Sequence, residues 1–231
     1  MHLVEKILPY ERTLFFWLNE HHSDYWDVFM WMYSGKLVWL PLAITTLIVF
    51  VYKIKWKEAL VLLLCAGLIG FFCDYFSAQI IKPYFERFRP THHPDFENLV
   101  ETVRGYRGGR YGFISNHAAN GFGIVTFTSL LFRYKYFTLT ILLWALITCY
   151  SRIYLGVHFI SDIIGGAIWG TFAGALIYYI YLTSRQYILK IPKEDLKIPI
   201  YGKDRAKILI AVIFITIAFI AIYSATLDIP N

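Results

Sequence analysis

Charge is what this sequence has least of: Asp, Glu, Lys and Arg make up 16% of its 231 residues, against 58% hydrophobic. That balance excludes a soluble or disordered chain. Cysteine is also scarce. Cys65, Cys73 and Cys149 lie inside apolar stretches, without CxxC spacing or a histidine at zinc-ligand distance, so they are read as packing residues. There is no fixed-period repeat and no low-complexity tract. The N-terminal stretch MHLVEKILPYERTLFFWLNEHH lacks an unbroken apolar core with a small-residue cleavage site, so no cleavable signal is expected. Acidic residues are the rarer sign, 16 against 22 Lys and Arg. In so apolar a chain that excess marks cytoplasmic loops rather than a nucleic-acid surface, and no nucleic-acid partner is expected.

What is present is a series of apolar runs: residues 37–52, 59–81, 118–132, 136–150, 159–182 and 208–223. A bilayer crossing takes roughly 20 mostly apolar helical residues. The expectation is an all-α polytopic membrane protein: a six-transmembrane-helix bundle over residues 35–231, preceded by an N-terminal interfacial amphipathic helix within residues 1–34. In that first segment Leu3, Ile7, Leu14, Phe15 and Leu18 recur at helical spacing among Glu5, Lys6, Glu11 and Arg12, a pattern that a helix packed on the bundle's end explains equally well. The third and fourth runs reach spanning length only if their helices begin near Ile114 and continue through Tyr154. Ser115, His117 and Arg152 then fall at helix ends.

Ala66, Gly67 and Gly70 in the second run, and Gly165, Gly166, Gly170 and Gly174 in the fifth, predict close helix contacts at the bundle centre. The small-xxx-small spacing of Gly166, Gly170 and Gly174 is read as a contact within the chain in preference to a dimer seam. Residues 185–207, with seven basic residues and Pro192 and Pro199, read as a solvated loop. Six crossings place this loop and the 53–57 and 133–135 turns on one side, which carries 12 of the 22 basic residues. Setting aside Lys82, Arg89 and Arg152, the other side has seven. The positive-inside rule puts the first side in the cytoplasm. Residues 82–117 and 151–158 then face outward, and a bacterial inner (plasma) membrane is the expected location.

Polar and charged groups at membrane depth are costly, so three clusters on the outer side call for a functional reading. In KPYFERFRP, Lys82 and Arg89 are seven residues apart, two turns along one face if helical, and offer a point charge and a planar donor fork to phosphate oxygens. Taken alone, a basic pair at the lipid headgroups explains this segment equally well. In ISNHAANGFG, Ser115 as a helix cap presents free backbone N–H groups to an anion, and His117 in the first turn can donate a proton. In SRIYLGVHFISDIIGG, His158 and Asp162 are four residues apart, so the carboxylate can hold one imidazole nitrogen while the other attacks. Arg152 adds a second guanidinium. The excess positive charge suits a transferring phosphoryl group, with no metal or other cofactor expected.

These segments, Kx6RP at residues 82–90, Ser-x-His at 115–117 and SRx5Hx3D at 151–162, resemble in order and spacing the three signature motifs of the type 2 phosphatidic acid phosphatase (PAP2) superfamily. The resemblance implies that Lys82, Arg89, Ser115 and Arg152 bind phosphate, that His117 is the general acid, and that His158, oriented by Asp162, forms a phosphohistidine. The middle motif departs from the family's Pro-Ser-Gly-His: Ile114 stands for the proline and Asn116 for the glycine. The Asn116 amide is expected to add a phosphate donor.

The function expected is a metal-independent membrane phosphatase acting on the terminal phosphate of a lipid phosphate or diphosphate in the bilayer. The resemblance implies undecaprenyl diphosphate, the first expectation, and also phosphatidylglycerophosphate, phosphatidic acid or a lipid A phosphate as candidate substrates. A lipid phosphotransferase would use the same residues; a non-enzymatic anion or lipid transporter would place its ion site nearer the midplane. RGYRGGRYG, with Arg104, Arg107 and Arg110, is read as a flexible headgroup-facing loop over a diphosphate clamp, and His92 and His93 as exposed loop histidines.

Overall fold

The computed structural model describes residues 3–227; the ends of the expected 1–34 and 35–231 segments, residues 1–2 and 228–231, lie outside the described residues. Among the described residues the chain is helical, with a single isolated bridge between Phe88 and Tyr111. A 3-10 turn (Leu3–Ile7) leads into α1 (Leu8–Asn19) and α2 (Asp24–Ser34). Then follow α3 (Leu40–Val51), α4 (Trp56–Gly70), two π-helical turns (Phe71–Tyr75 and Ser77–Ile81) and a last turn, α5 (Lys82–Phe85). A long loop leads to α6 (Asn116–Phe132), α7 (Lys135–Tyr154), α8 (Ile160–Tyr187) and α9 (Lys203–Thr226).

Four stretches are long and apolar enough to cross a bilayer: Trp56–Phe85, Lys135–Tyr154, Ile160–Tyr187 and Lys203–Thr226. The first expected span differs. The chain turns at Gly35, and α2 qualifies with Leu37–Val51 only as a pair bent by 64°. The third is short: α6 starts after its Ser115 cap and ends where Arg133 turns left-handed, giving 17 residues. The six expected runs thus correspond to four long helices, a bent pair and a short α6. The N-terminal helix has two faces. Phe15 and Glu11 are buried against the bundle end, while Tyr10, Leu14 and Trp17 are exposed.

Lipid is as apolar as leucine, so membrane helices are held by close packing more than by the hydrophobic effect. Here the tightest packing is α6 on α8. A Cβ on Gly170 would lie 2.1 Å from the Ala119 carbonyl oxygen, one on Gly166 2.5 Å from that of Ser115, and one on Gly174 2.6 Å from that of Gly123. The glycine series is an intrachain seam. Gly67 and Gly70, expected at a similar contact, meet nothing within 4 Å. Gly70 and Ala66 instead border a cavity of about 330 Å³ between α3, α4, α6 and α7. The three cysteines are buried, as read from the sequence.

The π turns widen the helix, and Trp169 Nε1 donates across the bundle to Phe72 O in the first of them at 2.8 Å. Gly170→Ala is expected to cost about 1–3 kcal/mol through overpacking and to lower the melting temperature in detergent. Gly67→Ala, with open space around it, is expected to leave that temperature unchanged or slightly raised. Equal melting temperatures for the two variants would show that α8 does not rest on α6.

Candidate active site

The three sequence clusters meet at one end of the bundle. Ser115 caps α6, its hydroxyl accepting from Ala118 N at 3.4 Å, and its own N–H donates to Asp162 O at 3.0 Å. That bond ties the second cluster to the third. His158 lies before α8, not on it, and Phe159 is the N-cap. Asp162, in the first turn, accepts from Phe159 N at 3.0 Å and approaches His158 Nδ1 at 3.3 Å through the same Oδ2. The pairing expected from helical i,i+4 spacing thus arises from a helix cap, which holds the carboxylate more firmly because the backbone shares it.

The Lys82–Arg89 relation also differs from two turns of one helix. The helix stops at Phe85 because Glu86 adopts a left-handed conformation (φ 46°), and the chain folds back. Lys82 ends the span, donating from Nζ to Ile114 O at 2.7 Å and Gly112 O at 3.2 Å. Arg89 returns from the loop, with Nη1 2.9 Å from Val157 O and 3.0 Å from His158 Nε2. A guanidinium only donates, so Nε2 is the acceptor and the His158 proton sits on Nδ1, toward Asp162. The unprotonated nitrogen faces the cation cluster.

Burial, together with Arg89, Lys82, Arg152 and His117, holds His158 well below the usual histidine range, so it is neutral at pH 7. Arg89 is lowered to about 10 by burial and by Arg152, and keeps its charge. Arg152 is buried in α7, donating to Ser34 Oγ and, at 3.4 Å, to Tyr106 Oη. The Nε groups of Arg89 and Arg152 have no hydrogen-bond partner among the described residues. His117 lines a vestibule of about 230 Å³ with Ser34, Lys36, Asp74 and Asn116. Among the described residues no three His, Cys, Asp or Glu side chains are grouped to hold a metal ion.

Asn116 does something other than present a free amide. Its Nδ2 donates to Asp74 Oδ1 at 2.7 Å and to Asp74 O at 3.1 Å, so both protons are spent on the π-helical turn. The arginine-rich loop is pinned. Arg107 pairs with Glu97 at 2.5 Å and Thr91 O, Arg104 lies over Trp31, and Arg110 lies over Phe88. His93 is buried and stacked on Phe96 at 4.0 Å, not exposed, because α1 and the loop close over it.

Sequence reasoning missed the groups that hold the site's own residues: Ser34 and Tyr106 on Arg152, and Arg87, Ser161 and Glu11 around Asp162. Arg87 carried a signal, as a second arginine two residues before Arg89.

The model of the PAP2 superfamily matches residues 58–186, more than half of the chain and all three clusters. The chain belongs to the PAP2 superfamily. It is 45% identical over 182 residues to a lipid A 4'-phosphatase of Porphyromonas gingivalis, covering 79% of this chain and 77% of that one. A lipid A 4'-phosphatase of Bacteroides thetaiotaomicron is 34% identical over 226 residues, 96% and 98% of the two chains. Two crystal structures share the fold. Aquifex aeolicus LpxE has a TM-score of 0.56 at 24% identity, over 73% of this chain and 94% of that one. A transmembrane PAP2 type phosphatidylglycerolphosphate phosphatase from Bacillus subtilis has a TM-score of 0.55 at 20% identity, over 81% and 89%. This PAP2 protein is a membrane-integral lipid phosphatase.

One tight contact offers a check on the geometry. A Cβ on Gly112 would lie 2.8 Å from Asp162 Oδ2 and 3.3 Å from Arg89 Cγ. Gly112→Ala is expected to push both away from His158 and lower kcat about tenfold or more, with little change in melting temperature. Wild-type turnover in that variant would mean the Asp162–His158 contact does not matter to the reaction.

Proposed function

We propose that this PAP2 phosphatase removes the 4'-phosphate of lipid A, with His158 as nucleophile. The observation that carries the chemistry is the orientation of His158, with Nδ1 on Asp162 and the unprotonated Nε2 beside Arg89, in the field of Lys82 and Arg152. Those three cations and the Ser115 end of α6 bind the phosphate oxygens. Nε2 attacks phosphorus, an N–P bond forms as the P–O bond to the lipid breaks, and the departing oxygen takes a proton from protonated His117. A water then gives its proton to His117 and attacks phosphorus, cleaving the N–P bond and releasing phosphate. No step calls on a metal.

The substrate class is supported by what adjoins the site. The vestibule at His117 and the apolar cavity share Trp39, Asn120 and Trp144, which suits a phosphorylated headgroup beside acyl chains. The two lipid A 4'-phosphatases are the relatives that favour a lipid A phosphate. This displaces undecaprenyl diphosphate, the substrate expected first from the sequence, for which neither relative's name gives support. The full reading is a six-span domain over residues 35–231, with α1 as an interfacial helix, in a bacterial inner membrane with the site on the extracytoplasmic face. The basic residues on the opposite side support that orientation.

The test is phosphate release by the purified protein in detergent with EDTA, for wild type and His158→Ala. The panel is lipid A bearing a 4'-phosphate, lipid A lacking it, undecaprenyl diphosphate, phosphatidylglycerophosphate and phosphatidic acid. Release from the 4'-phosphorylated lipid A that survives EDTA, and falls by about 10³-fold or more in the variant, is the expected result. Loss of wild-type release with EDTA, or an active variant, would overturn the histidine mechanism. Faster release from another lipid would overturn the substrate.

A further inference from the structure

Asp162 has two oxygens, and the site described above uses only one. The other, Oδ1, accepts from Arg87 Nη1 at 2.7 Å. Arg87 is fully buried, its guanidinium 4.6 Å from the centre of the Phe159 ring, and its Nη2 donates to Glu11 Oε1 at 2.5 Å. Glu11 lies on α1, 76 residues earlier in the chain and outside the 58–186 stretch that matches the superfamily model. Ser161 closes the ring: its Oγ accepts from Arg87 at 2.5 Å and donates to Glu11 Oε1 at 2.8 Å, and its N–H donates to Glu11 Oε2 at 2.7 Å.

We infer that Glu11 and Arg87 are positioning residues for the phosphatase reaction, forming with Asp162 a chain of alternating charge that orients His158 and sets how readily it takes a proton. This rests on the role proposed for His158. The geometry leaves Asp162 little freedom: Phe159 N and His158 on one oxygen and Arg87 on the other fix the carboxylate plane, and Glu11 fixes Arg87. The helix that carries Glu11 is itself held to the site. Asn19 Nδ2 donates to Tyr154 O at 2.9 Å and to Glu101 O at 3.1 Å, and Phe15 packs on Phe159 at 5.2 Å.

The charges act in opposite directions. Arg87 draws the negative potential of Asp162 away from the imidazole and disfavours the imidazolium; Glu11 partly cancels Arg87 and favours it. Burial pushes the Arg87 guanidinium down, but Asp162, Glu11 and Glu5 outweigh it and hold it above the ordinary arginine range. The other charged or titratable groups acting on His158 are Arg89, Lys82, Arg152 and His117. Beyond Glu11, Arg87 faces Glu5 at 3.7 Å; Glu5 in turn faces His93 at 3.8 Å, and His93 faces Asp95 at 3.8 Å. A residue that only supported the fold would change activity without moving the pH dependence in a sign-specific way.

The experiment is the pH profile of kcat/KM for wild type, Glu11→Gln, Arg87→Met and Arg87→Lys, on whichever lipid of the phosphate-release panel turns over fastest, with His158→Ala alongside. Glu11→Gln removes a negative charge at nearly constant shape and is expected to move the acid limb to lower pH. Arg87→Met removes a positive charge and is expected to move it to higher pH, each by on the order of half a unit. In both, kcat is expected to fall about tenfold with KM changing less, and Arg87→Lys to keep the limb near its wild-type position. Limbs that stay in place, or move the same way in both variants, overturn the inference. If Arg87→Met fails to fold, the Glu11→Gln shift decides alone. An active His158→Ala would overturn the site reading itself, whereas a dead His158→Ala with unmoved limbs overturns only the role of Glu11 and Arg87.

Discussion

The backbones of α6 and α8 touch, and the active centre depends on it. Gly166 faces the carbonyl of Ser115 and Gly170 that of Ala119, with no room for a Cβ. That approach brings the first turn of α8 to the first turn of α6, close enough for Ser115 N to donate to Asp162 O. Two helix N-termini therefore converge on one point: that of α6 adds partial positive charge, while that of α8 is met by the carboxylates of Asp162 and Glu11. Moving the helices apart by a methyl group's width would break the bond between Ser115 N and the Asp162 main-chain carbonyl.

Around that point the cations are held in an uncommon way. Lys82 is bound by the carbonyls of Gly112 and Ile114, Arg89 by that of Val157, and Arg152 by two hydroxyls. Carbonyls and hydroxyls fix a cation without neutralising it, so its charge remains available to an anion such as the phosphate proposed above. The carboxylate that does sit here, Asp162, is matched to Arg87 on the far side, away from the cluster. Carboxylates paired with Lys82 or Arg89 would have stabilised the empty protein at the expense of anion binding. The cost of crowding like charges is carried by the packing of α6 on α8 and by the loop, where Gly112 lets Asp162 and Arg89 pass at contact distance.

How much of this was legible in the sequence follows from the kind of constraint involved. The residues proposed to meet the phosphate stand out because their chemistry restricts residue type and the loops between them restrict spacing. Local geometry was read less well. The seven-position spacing of Lys82 and Arg89 suggested two helical turns, yet Glu86 in the left-handed region folds the chain back, and no periodicity foretells that. The glycines show the same division. Gly166, Gly170 and Gly174 face backbone, whereas Gly67 faces open space and Gly70 borders a cavity. A glycine pattern states that room is needed and leaves open whether a helix or a ligand occupies it. Glu11 was unreadable for another reason: its partner is 76 residues away, and on an amphipathic helix a glutamate looks like part of the solvated face.

The departure at Asn116 has its explanation in the same terms. Glycine at that place would leave the backbone beside Ser115 uncovered, while asparagine brings a side chain that must go somewhere. It goes to Asp74, which lies in the first π turn. An α-helical continuation of α4 would rotate Asp74 to a different face, so the wider turns and the asparagine are two halves of one arrangement. The amide is held away from Ser115, the α6 N-terminus keeps its free N–H groups, and the vestibule gains a polar wall made of Asp74, Asn116 and Lys36. The substitution thus changes the wall of the vestibule beside His117 while leaving Ser115 and the cation cluster in place.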